Sequence, residues 1–536
     1  MIEVSNAWKE AQKQTLLPEI FVELSYMVSD LGIQDRATVK GSNPESFSNM
    51  EQLLDLSEKH SEKYATLDYG CWGLDGSFGY SDGTPNDPGY VNKNYSLEDG
   101  SMDVYPTISL RFTERQDVML PGLSITWDTV FGAWATHFKV KAYNVDTVVA
   151  EVEVENNTSI TSTVWIDLIN YNNIVIEVLK WSHPYRRVRC SEIVLGIRQI
   201  YNKNDLLKYE HSQSVDLLSG ALPENKITFN LRNEDGRWNP DNPSGFEKYL
   251  MEQQEIRVRY GMDLNGTTEW IKGGTFWLSE RNTPANGLEA VFVARDAIVF
   301  MNIPYSGALK GTLYDVAVAA FVEAELPTFD DGSVRYFVSE QLKNYSVDIE
   351  YDQVEFTVAE VLQIVANASN CVLYQDRDGV VRIEPWDRTY SDYLIDSNIS
   401  YSHPEYTVSK PLKSVSVAYG NDSRVTVNVA SKGEIQTVDN PLIVTEENAT
   451  EVADHTKNIL GNRKVISGDF RADLRMDALD NVIVASKYAS NVIGITDITY
   501  STTGGAFHGK YTGRVVSIHL ETMKVYSDEF YSGEIW

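Results

Sequence analysis

The 536-residue chain lacks several features that would mark a membrane or secreted protein. It has no run of about 18 apolar residues, so no conventional transmembrane helix is expected. The amino terminus, MIEVSNAWKEAQKQ, has neither a basic start nor an apolar segment, so we expect no signal peptide. Only three cysteines occur, Cys71, Cys190 and Cys371, without C-x-x-C spacing. This pattern favours buried thiols in a reducing compartment, although a Cys71–Cys190 disulfide stays open.

Positive charge is also scarce. The chain has 46 Lys and Arg against 77 Asp and Glu, which gives a formal charge of −31. Sequence-nonspecific binding of nucleic acid requires clustered Lys and Arg that displace counterions, so that class of function is disfavoured. The acidity indicates either plain solubility or a wall past which DNA slides as passing cargo. The positions of the acidic residues would decide between these two interpretations.

Catalytic and metal-binding signatures are missing as well. The sequence contains no H-E-x-x-H, G-x-S-x-G, P-loop or G-x-G-x-x-G. Its eight histidines show no ligand spacing, and Asp and Glu are too numerous to single out a glycosidase pair. Asp376-x-Asp378-Gly could open a calcium loop, but the remaining ligands are absent, which favours a plain turn. The sequence therefore predicts no catalytic residue, no metal, no cofactor and no enzyme.

What is present is a series of strand patterns. At 536 residues the chain is long enough for about three or four domains of roughly 100–200 residues each, and its 42% hydrophobic residues can build their cores. Short strand patterns without a convincing helix over 64–198 are typical of a β-sandwich or jelly roll. The alternation Ile20 to Val28 has no neighbouring partner, so we expect it to pair with strands after residue 199. Residues 64–198 would then be an insertion.

Helices are predicted mainly in the second half of the chain. Thr312 with Asp315, and Thr357 with Glu360, have the spacing of capping boxes. A hairpin turned at Asp378-Gly379 should follow the second helix, and a third helix is predicted over 446–460. The fold class is therefore mainly β with some α. The predicted domains are 1–63 with 199–300 (a first β-barrel), 64–198 (the inserted sandwich), 301–408 (an α+β linker domain) and 409–536 (a second β-barrel with one helix).

The segment NLRNEDGRWNPDNPSGFEKYLMEQQEIRVRYG, residues 230–261, holds a loop rich in turn-forming residues between two strands. Gly supplies a positive φ, Pro restricts φ, and Asn and Asp side chains bond to nearby backbone. We expect a rigid loop with a structural role and no catalytic content. The loop residues concerned are Asp235, Gly236, Asn239, Pro240, Asn242 and Pro243.

This loop, followed by IRVRYG, resembles the hub and tail-tip proteins of long-tailed bacteriophages and phage-tail-like particles. GGTFWLSE, NGLEAVFVARDAI, NRKVISGDFRADLRMDALDNV and GAFHGKYTGR resemble the same family, over about residues 200–520. The resemblance implies two hub-type β-barrels in a homotrimeric ring below the tail tube, in a virion assembled in the host cytoplasm. It also implies contacts with distal tail or tube proteins, the tape measure protein, and fibres or tip proteins.

The inserted segment resembles the galactose-binding-like, discoidin-type sandwich in ITWD, HFKVKAYN and YNNIVIEVLKWSHPYRR. Such modules often bind carbohydrate, which implies a surface for cell-surface polysaccharide or a protein partner. The candidate residues are Trp72, Trp134, His183, Tyr185 and Arg186. The alternative is that these aromatic residues fill the sandwich core and its rim. For the whole chain, the alternative function is a carbohydrate-active enzyme or adhesin with a carbohydrate-binding module, against which the missing signal peptide weighs.

Overall fold

The fold is given by a computed structural model. It describes residues 1–14, 19–28, 33–34, 36–54, 66, 68–71, 89–117, 120–242, 253–264, 267–283, 287–329, 333–349, 356–389, 393–420, 423–485, 489–502 and 507–516. Two of the residues singled out from the sequence, Trp72 and Pro243, lie outside this described part.

The elements follow in chain order. The first part contains α1 (Asn6–Lys13), β1 (Ile20–Val28), β2 (Ala37–Gly41), β3 (Tyr90–Tyr95), β4 (Thr107–Gln116), β5 (Leu120–Thr126), β6 (Ala135–Asn144), β7 (Thr147–Val154), β8 (Thr161–Leu168), β9 (Tyr171–Trp181), β10 (Arg187–Cys190), β11 (Glu192–Leu195) and β12 (Ile197–Tyr201). The middle part contains β13 (Leu206–Ser214), β14 (Glu224–Arg232), β15 (Glu255–Leu264), β16 (Thr267–Asn282), β17 (Glu289–Arg295), β18 (Leu309–Thr312), α2 (Leu313–Glu323), β19 (Tyr336–Val338), β20 (Ser346–Ile349), α3 (Val358–Ala368), β21 (Val372–Gln375), β22 (Val381–Glu384) and β23 (Leu394–Ile395). The last part contains β24 (Glu405–Val408), β25 (Leu412–Tyr419), β26 (Ser423–Asn428), β27 (Glu434–Val438), α4 (Glu446–Leu460), β28 (Lys464–Arg471), β29 (Asn481–Ala485), β30 (Ser490–Thr502) and β31 (Phe507–Val515).

One 13-stranded sheet joins the strands predicted for the two barrels. Its order is β12-β1-β15-β16-β17-β14-β13-β30-β31-β28-β24, with β29 on β30 and β23 on β29. The junction is the antiparallel pair β13–β30, which runs from Tyr209↔Thr502 to Ser214↔Asp497. The mainly β architecture is confirmed. No sheet in the described residues is closed, because these two sets of strands continue into each other.

The partner of the isolated amino-terminal strand is the one expected. β1 pairs with β15, from Ile20↔Met262 to Tyr26↔Ile256, and with β12 on its other side. Its alternate residues point inward, and Leu24 is completely buried. Val28 pairs with Ile197, so the chain leaves this sheet for the sandwich and returns at adjacent strands. Such adjacency is what makes an insertion easy to accommodate.

The sandwich packs the five-stranded sheet β2-β4-β9-β6-β7 against the three-stranded sheet β11-β5-β8, with β3 and β10 as a separate pair. Trp127 lies in its centre, 5.2 Å from Phe138 and 6.0 Å from Trp181 between ring centroids. These three rings are buried, as a sandwich core requires. β2 belongs to this unit through its pairing with β4.

Both capping boxes are present and confirm the predicted helix starts. Thr312 Oγ1 accepts from Asp315 N at 3.2 Å, and Thr312 N donates to Asp315 Oδ2 at 2.8 Å. Thr357 and Glu360 make the equivalent two bonds at 3.3 and 2.8 Å. The hairpin β21–β22 is confirmed as well, with Gly379 at φ +81 in its turn.

Three hydrophobic cores group the elements. The first lies on the 13-stranded sheet and includes Tyr260 and Tyr500, one from each half. The second combines α2 and α3 with β25 and α4, through residues such as Val417 and Val452. The third core is that of the sandwich, and it includes Ile33, which precedes the predicted start of the insert at residue 64. The domain limits drawn from the sequence remain predictions.

The structure bears on two features discussed from the sequence, membrane-spanning helices and the three cysteines. In the part of the chain that the structure describes, no helix is long and apolar enough to cross a membrane. Cys71, Cys190 and Cys371 are buried and free, so Cys71 and Cys190 form no disulfide. Burial raises the pKa of the Cys71 thiol to about 11, which makes it a poor nucleophile at neutral pH.

Candidate functional site

One end of the sandwich brings together four of the five residues predicted to contact sugar. Trp134 lies just before β6, and His183, Tyr185 and Arg186 lie in the turn between β9 and β10. Two hydrogen bonds tie these segments: Ser182 N donates to Trp134 O at 2.8 Å, and Trp134 N donates to Ser182 Oγ at 3.0 Å. The fold therefore places residues some 50 positions apart on one surface.

Trp134 and His183 form an edge-to-face pair with ring centroids 6.2 Å apart. The Trp134 indole nitrogen donates to Asn157 O at 2.9 Å, so this ring is fixed by a neighbouring loop. His183 Nδ1 lies 2.8 Å from Ser182 Oγ. Burial, assisted by the Arg186 cation, lowers the pKa of His183, so the ring is neutral at pH 7. A neutral imidazole can hydrogen-bond a hydroxyl group but carries no charge for an anion.

Tyr185 is the exposed residue of this surface. Its side chain is about half exposed, its φ is +55, and its ring lies 6.3 Å from that of Tyr69 in an edge contact. Arg186 Nε donates to Tyr69 O at 2.8 Å, and a second guanidinium nitrogen approaches Phe131 O at 3.5 Å. Tyr185 thus presents a ring for stacking, whereas Arg186 largely holds two loops together.

A buried ion network lies beneath these loops and was not foreseen. Asp68, only 1% exposed, lies 3.0 Å from Arg187 Nε and 3.2 Å from Arg189 Nη2. Arg189 Nε is also 3.6 Å from Asp128 Oδ2. Burial raises the pKa of Asp128, and Arg189 opposes that rise. The signal in the sequence was the pair of arginines two positions apart in a strand, which share one face.

The Asn-Pro loop is held by hydrogen bonds among its own residues. Gly236 has φ +67 and donates its N–H to Asn233 O at 3.0 Å. Asn239 N donates to Gly236 O at 3.0 Å, and Asn242 uses its side-chain amide for the same carbonyl at 3.0 Å. Asp235 accepts from Arg237 Nε at 2.7 Å, and Pro240 follows within this turn. These contacts are all local, which suits a bracing element.

Trp238 anchors this loop, and sequence reasoning missed it. The ring is only 2% exposed and lies 5.0 Å from Phe292 and 5.8 Å from Tyr201. Its backbone N–H donates to the Asn233 side chain at 3.0 Å, while Asn233 N donates to Leu288 O at 2.7 Å. A large aromatic residue within a polar loop could have indicated this anchor from the sequence, because such rings are usually buried.

Arg377, from the turn of the β21–β22 hairpin, joins the α+β part to the 13-stranded sheet. Its Nε lies 2.8 Å from Asp477 Oδ2, and its other nitrogens donate to Lys272 O and Leu474 O at 2.7 Å each. Burial disfavours the cation, but Asp477 more than compensates and raises the pKa of the guanidinium. The arginine therefore stays charged in the interior and fixes the position of the hairpin.

An acidic cleft of about 960 Å³ opens beside Arg377. Asp296, 4% exposed, lines it and begins a short 3₁₀ turn by accepting from Ile298 N at 3.3 Å. Burial raises the pKa of the Asp296 carboxyl to about 7 despite that bond. Such a group is half protonated near neutral pH, so it makes the stability of this region depend on pH.

Similarity to known proteins is found among solved structures. No protein-family model matches the chain, and no curated protein matches it. The tail protein from Neisseria meningitidis MC58 is 10% identical, with 60% of this chain and 93% of that one covered, at a TM-score of 0.44. The 43 kDa tail protein of prophage MuSo2 from Shewanella oneidensis is 13% identical, with 59% and 95% covered, at 0.42. The structural neighbours of this chain are phage tail and baseplate proteins.

A carbohydrate-binding module is also among the structural neighbours. The family 32 CBM from C. perfringens NanJ, solved in complex with galactose, is 15% identical and covers 33% of this chain and 99% of its own, at a TM-score of 0.20. The galactose belongs to that protein.

Proposed function

We propose that this chain is a non-enzymatic structural subunit of a phage tail tip or baseplate, forming a homotrimeric ring below the tail tube. The observation that carries the proposal is the β13–β30 pairing, which makes one continuous sheet of the two hub-like halves. Backbone hydrogen bonds therefore link the two halves directly. The resemblance of the 200–520 segment to hub proteins supports the same function.

An open sheet edge supports ring formation. β24 is the last strand of the path in the described residues, and all four of its side chains are exposed, including Tyr406 and Val408. Exposed strand edges with apolar side chains favour pairing with another chain. Closure around a threefold axis satisfies such edges without continued growth. The proposed partners are distal tail or tube proteins, the tape measure protein, and fibres or tip proteins, with DNA only as passing cargo in the virion.

The size of the assembly tests this proposal. Three copies of the 60.4 kDa chain give about 181 kDa, which sedimentation-velocity ultracentrifugation separates from a monomer. Negative-stain images of the same fractions should show closed rings. A species that stays at 60.4 kDa at high concentration would contradict the trimer.

A pair of variants locates the contact. Val408→Lys on β24 should dissociate the ring, since it places a charge on the exposed edge. Val145→Lys, in the exposed β6–β7 turn of the sandwich, is the matched control and should leave the ring intact. Equal effects of the two variants would exclude β24 as the contact.

For the insert we propose glycan binding at the Trp134–Tyr185 end of the sandwich. The half-exposed Tyr185 ring offers a stacking surface beside the neutral His183 and the Arg186 guanidinium. Aromatic faces and fixed donors are the groups that hold sugars. A screen of bacterial surface polysaccharides should find a ligand, and Tyr185→Ala should remove binding while Tyr105→Ala, at another exposed aromatic residue, should not. Turnover of a glycan in that screen would instead favour the enzyme alternative.

A further inference from the structure

The outer face of the sandwich carries a group of side chains with the chemistry of a metal site. His137 lies on β6, Glu153 lies on β7, and Glu155 follows directly after that strand. One donor atom from each lies within 4.8 Å of those from the other two. We propose that His137, Glu153 and Glu155 bind a first-row divalent cation, for which Zn²⁺ is the best match, since it accepts imidazole nitrogen together with carboxylate oxygen.

The hairpin register creates this group. Phe138 pairs with Val154 and Lys139 pairs with Glu153, so His137 and Glu155 take the next positions along the two strands. Alternate residues of a strand share a face, which puts all three ligands on the solvent side of the sheet. His137 Nε2 already lies 2.6 Å from Glu153 Oε1. His137 is 16 residues from Glu153 in sequence, which is why short spacing rules do not find the group.

The segment after β7, which carries Glu155, is hydrogen-bonded to the start of β6 through Asn157. Asn157 N donates to Thr136 O at 2.9 Å, and the Asn157 side-chain amide donates to Ala135 O at 2.8 Å. The same amide reaches Ser162 Oγ at 2.9 Å. The backbone on both sides of the group is therefore fixed before an ion arrives, and little ordering is required on binding.

Lys139 is a hydrogen-bond donor to the Glu153 carboxylate and is not itself a metal ligand. Its ammonium lies 3.0 Å from Glu153 Oε2, whereas His137 faces Oε1 of the same carboxylate. One oxygen is thus available to the ion while the other is held by a donor, as is usual for ligating carboxylates. His137 and Glu153 keep 29% and 39% of their side chains exposed, which admits a water molecule to complete a tetrahedral set.

The rest of the same face provides a natural comparison. Lys141 lies 3.5 Å from Glu151 and 3.7 Å from Glu177, which is a salt-bridge ladder of similar charge without an imidazole. If negative charge alone attracted cations, Glu151 would matter as much as Glu155. Only the His137 group combines a nitrogen ligand with two carboxylates among the described residues.

Calorimetric titration of the full chain with ZnCl₂, after chelator treatment, tests the site. The wild type should bind one Zn²⁺, and both His137→Ala and Glu155→Gln should weaken the affinity for it at least tenfold. Glu151→Gln should bind within twofold of wild type. Zn²⁺ should also raise the melting temperature of the wild type and not that of His137→Ala, while Ca²⁺ should do neither.

Two results would overturn the proposal. One is equal Zn²⁺ binding by the wild type and His137→Ala, which would place the ion elsewhere. The other is equal weakening by Glu151→Gln and Glu155→Gln, which would indicate diffuse attraction to the charged face. Circular dichroism of the metal-free variants checks that each folds, and all of these substitutions lie at partly or fully exposed side chains.

Discussion

Replacement of Arg377 by Met should loosen the attachment of the α+β part to the 13-stranded sheet. The change keeps an unbranched apolar stem but removes the charge that faces Asp477 and the donors to Lys272 O and Leu474 O. Arg377 is 6% exposed and Asp477 is 26% exposed, so water replaces little of what is lost. Removing one partner of a buried pair costs about 3–5 kcal/mol. We expect about 4 kcal/mol, because Gln213 still donates to Asp477 at 2.9 Å.

Arg382→Met is the matched control. It removes one arginine from the same hairpin, but Arg382 is 30% exposed and its partner Asp376 is 21% exposed. Such a pair contributes about 1 kcal/mol or less. Any general effect of lowering the positive charge is therefore common to both variants.

Calorimetry combined with hydrogen exchange measures the difference. For a cooperative unit of about 200 residues, a loss of about 4 kcal/mol lowers the melting temperature by roughly 10 °C, whereas the control should lower it by a few degrees. Exchange should increase in the 372–384 hairpin and around residue 474. If the two variants melt together and exchange is unchanged at both places, Arg377 does not hold this junction.

Three further predictions follow from single residues. Gly236→Val should destabilise the chain by about 2 kcal/mol, since φ +67 is strained for a β-branched residue, whereas Gly236→Asn should be tolerated. Thermal unfolding and sedimentation check both variants, and unchanged stability of Gly236→Val would contradict the bracing role. Asp296→Asn keeps an acceptor for Ile298 N but does not titrate. Because the folded pKa of about 7 exceeds the usual 3.8, the folded state holds an extra proton between these two pH values. The free energy of unfolding of the wild type should therefore fall by roughly 3 kcal/mol relative to the variant from pH 5 to pH 8. Parallel pH profiles of the unfolding free energy would refute this. Thr357→Ala should cost about 1 kcal/mol in urea unfolding through loss of the cap, and no change would mean that tertiary packing alone sets the helix start.

Local chemistry was the part that the sequence predicted well. The alternation of Ile20 to Tyr26, the Thr-Asp and Thr-Glu boxes, and the Gly379 turn each depend on residues a few positions apart. Backbone geometry and side-chain periodicity act over that range, so these features can be read from nearby residues. Trp134 and His183 were named as candidates from the sequence, and the fold brings their ring centroids to 6.2 Å, while glycan binding at this surface stays a prediction.

Sequence by itself thus determined many of the strands, the helix caps and the turn at Gly236, all of which arise from short-range preferences. Only the tertiary structure decided that β13 pairs with β30, so that two expected barrels share one open sheet. It also decided the burial of Trp238 and Arg377, and the meeting of His137 with Glu153 and Glu155. Each of these depends on which distant strand edge or cavity a segment meets. That choice is made by the burial of whole faces and the pairing of their polar groups, which no local pattern encodes.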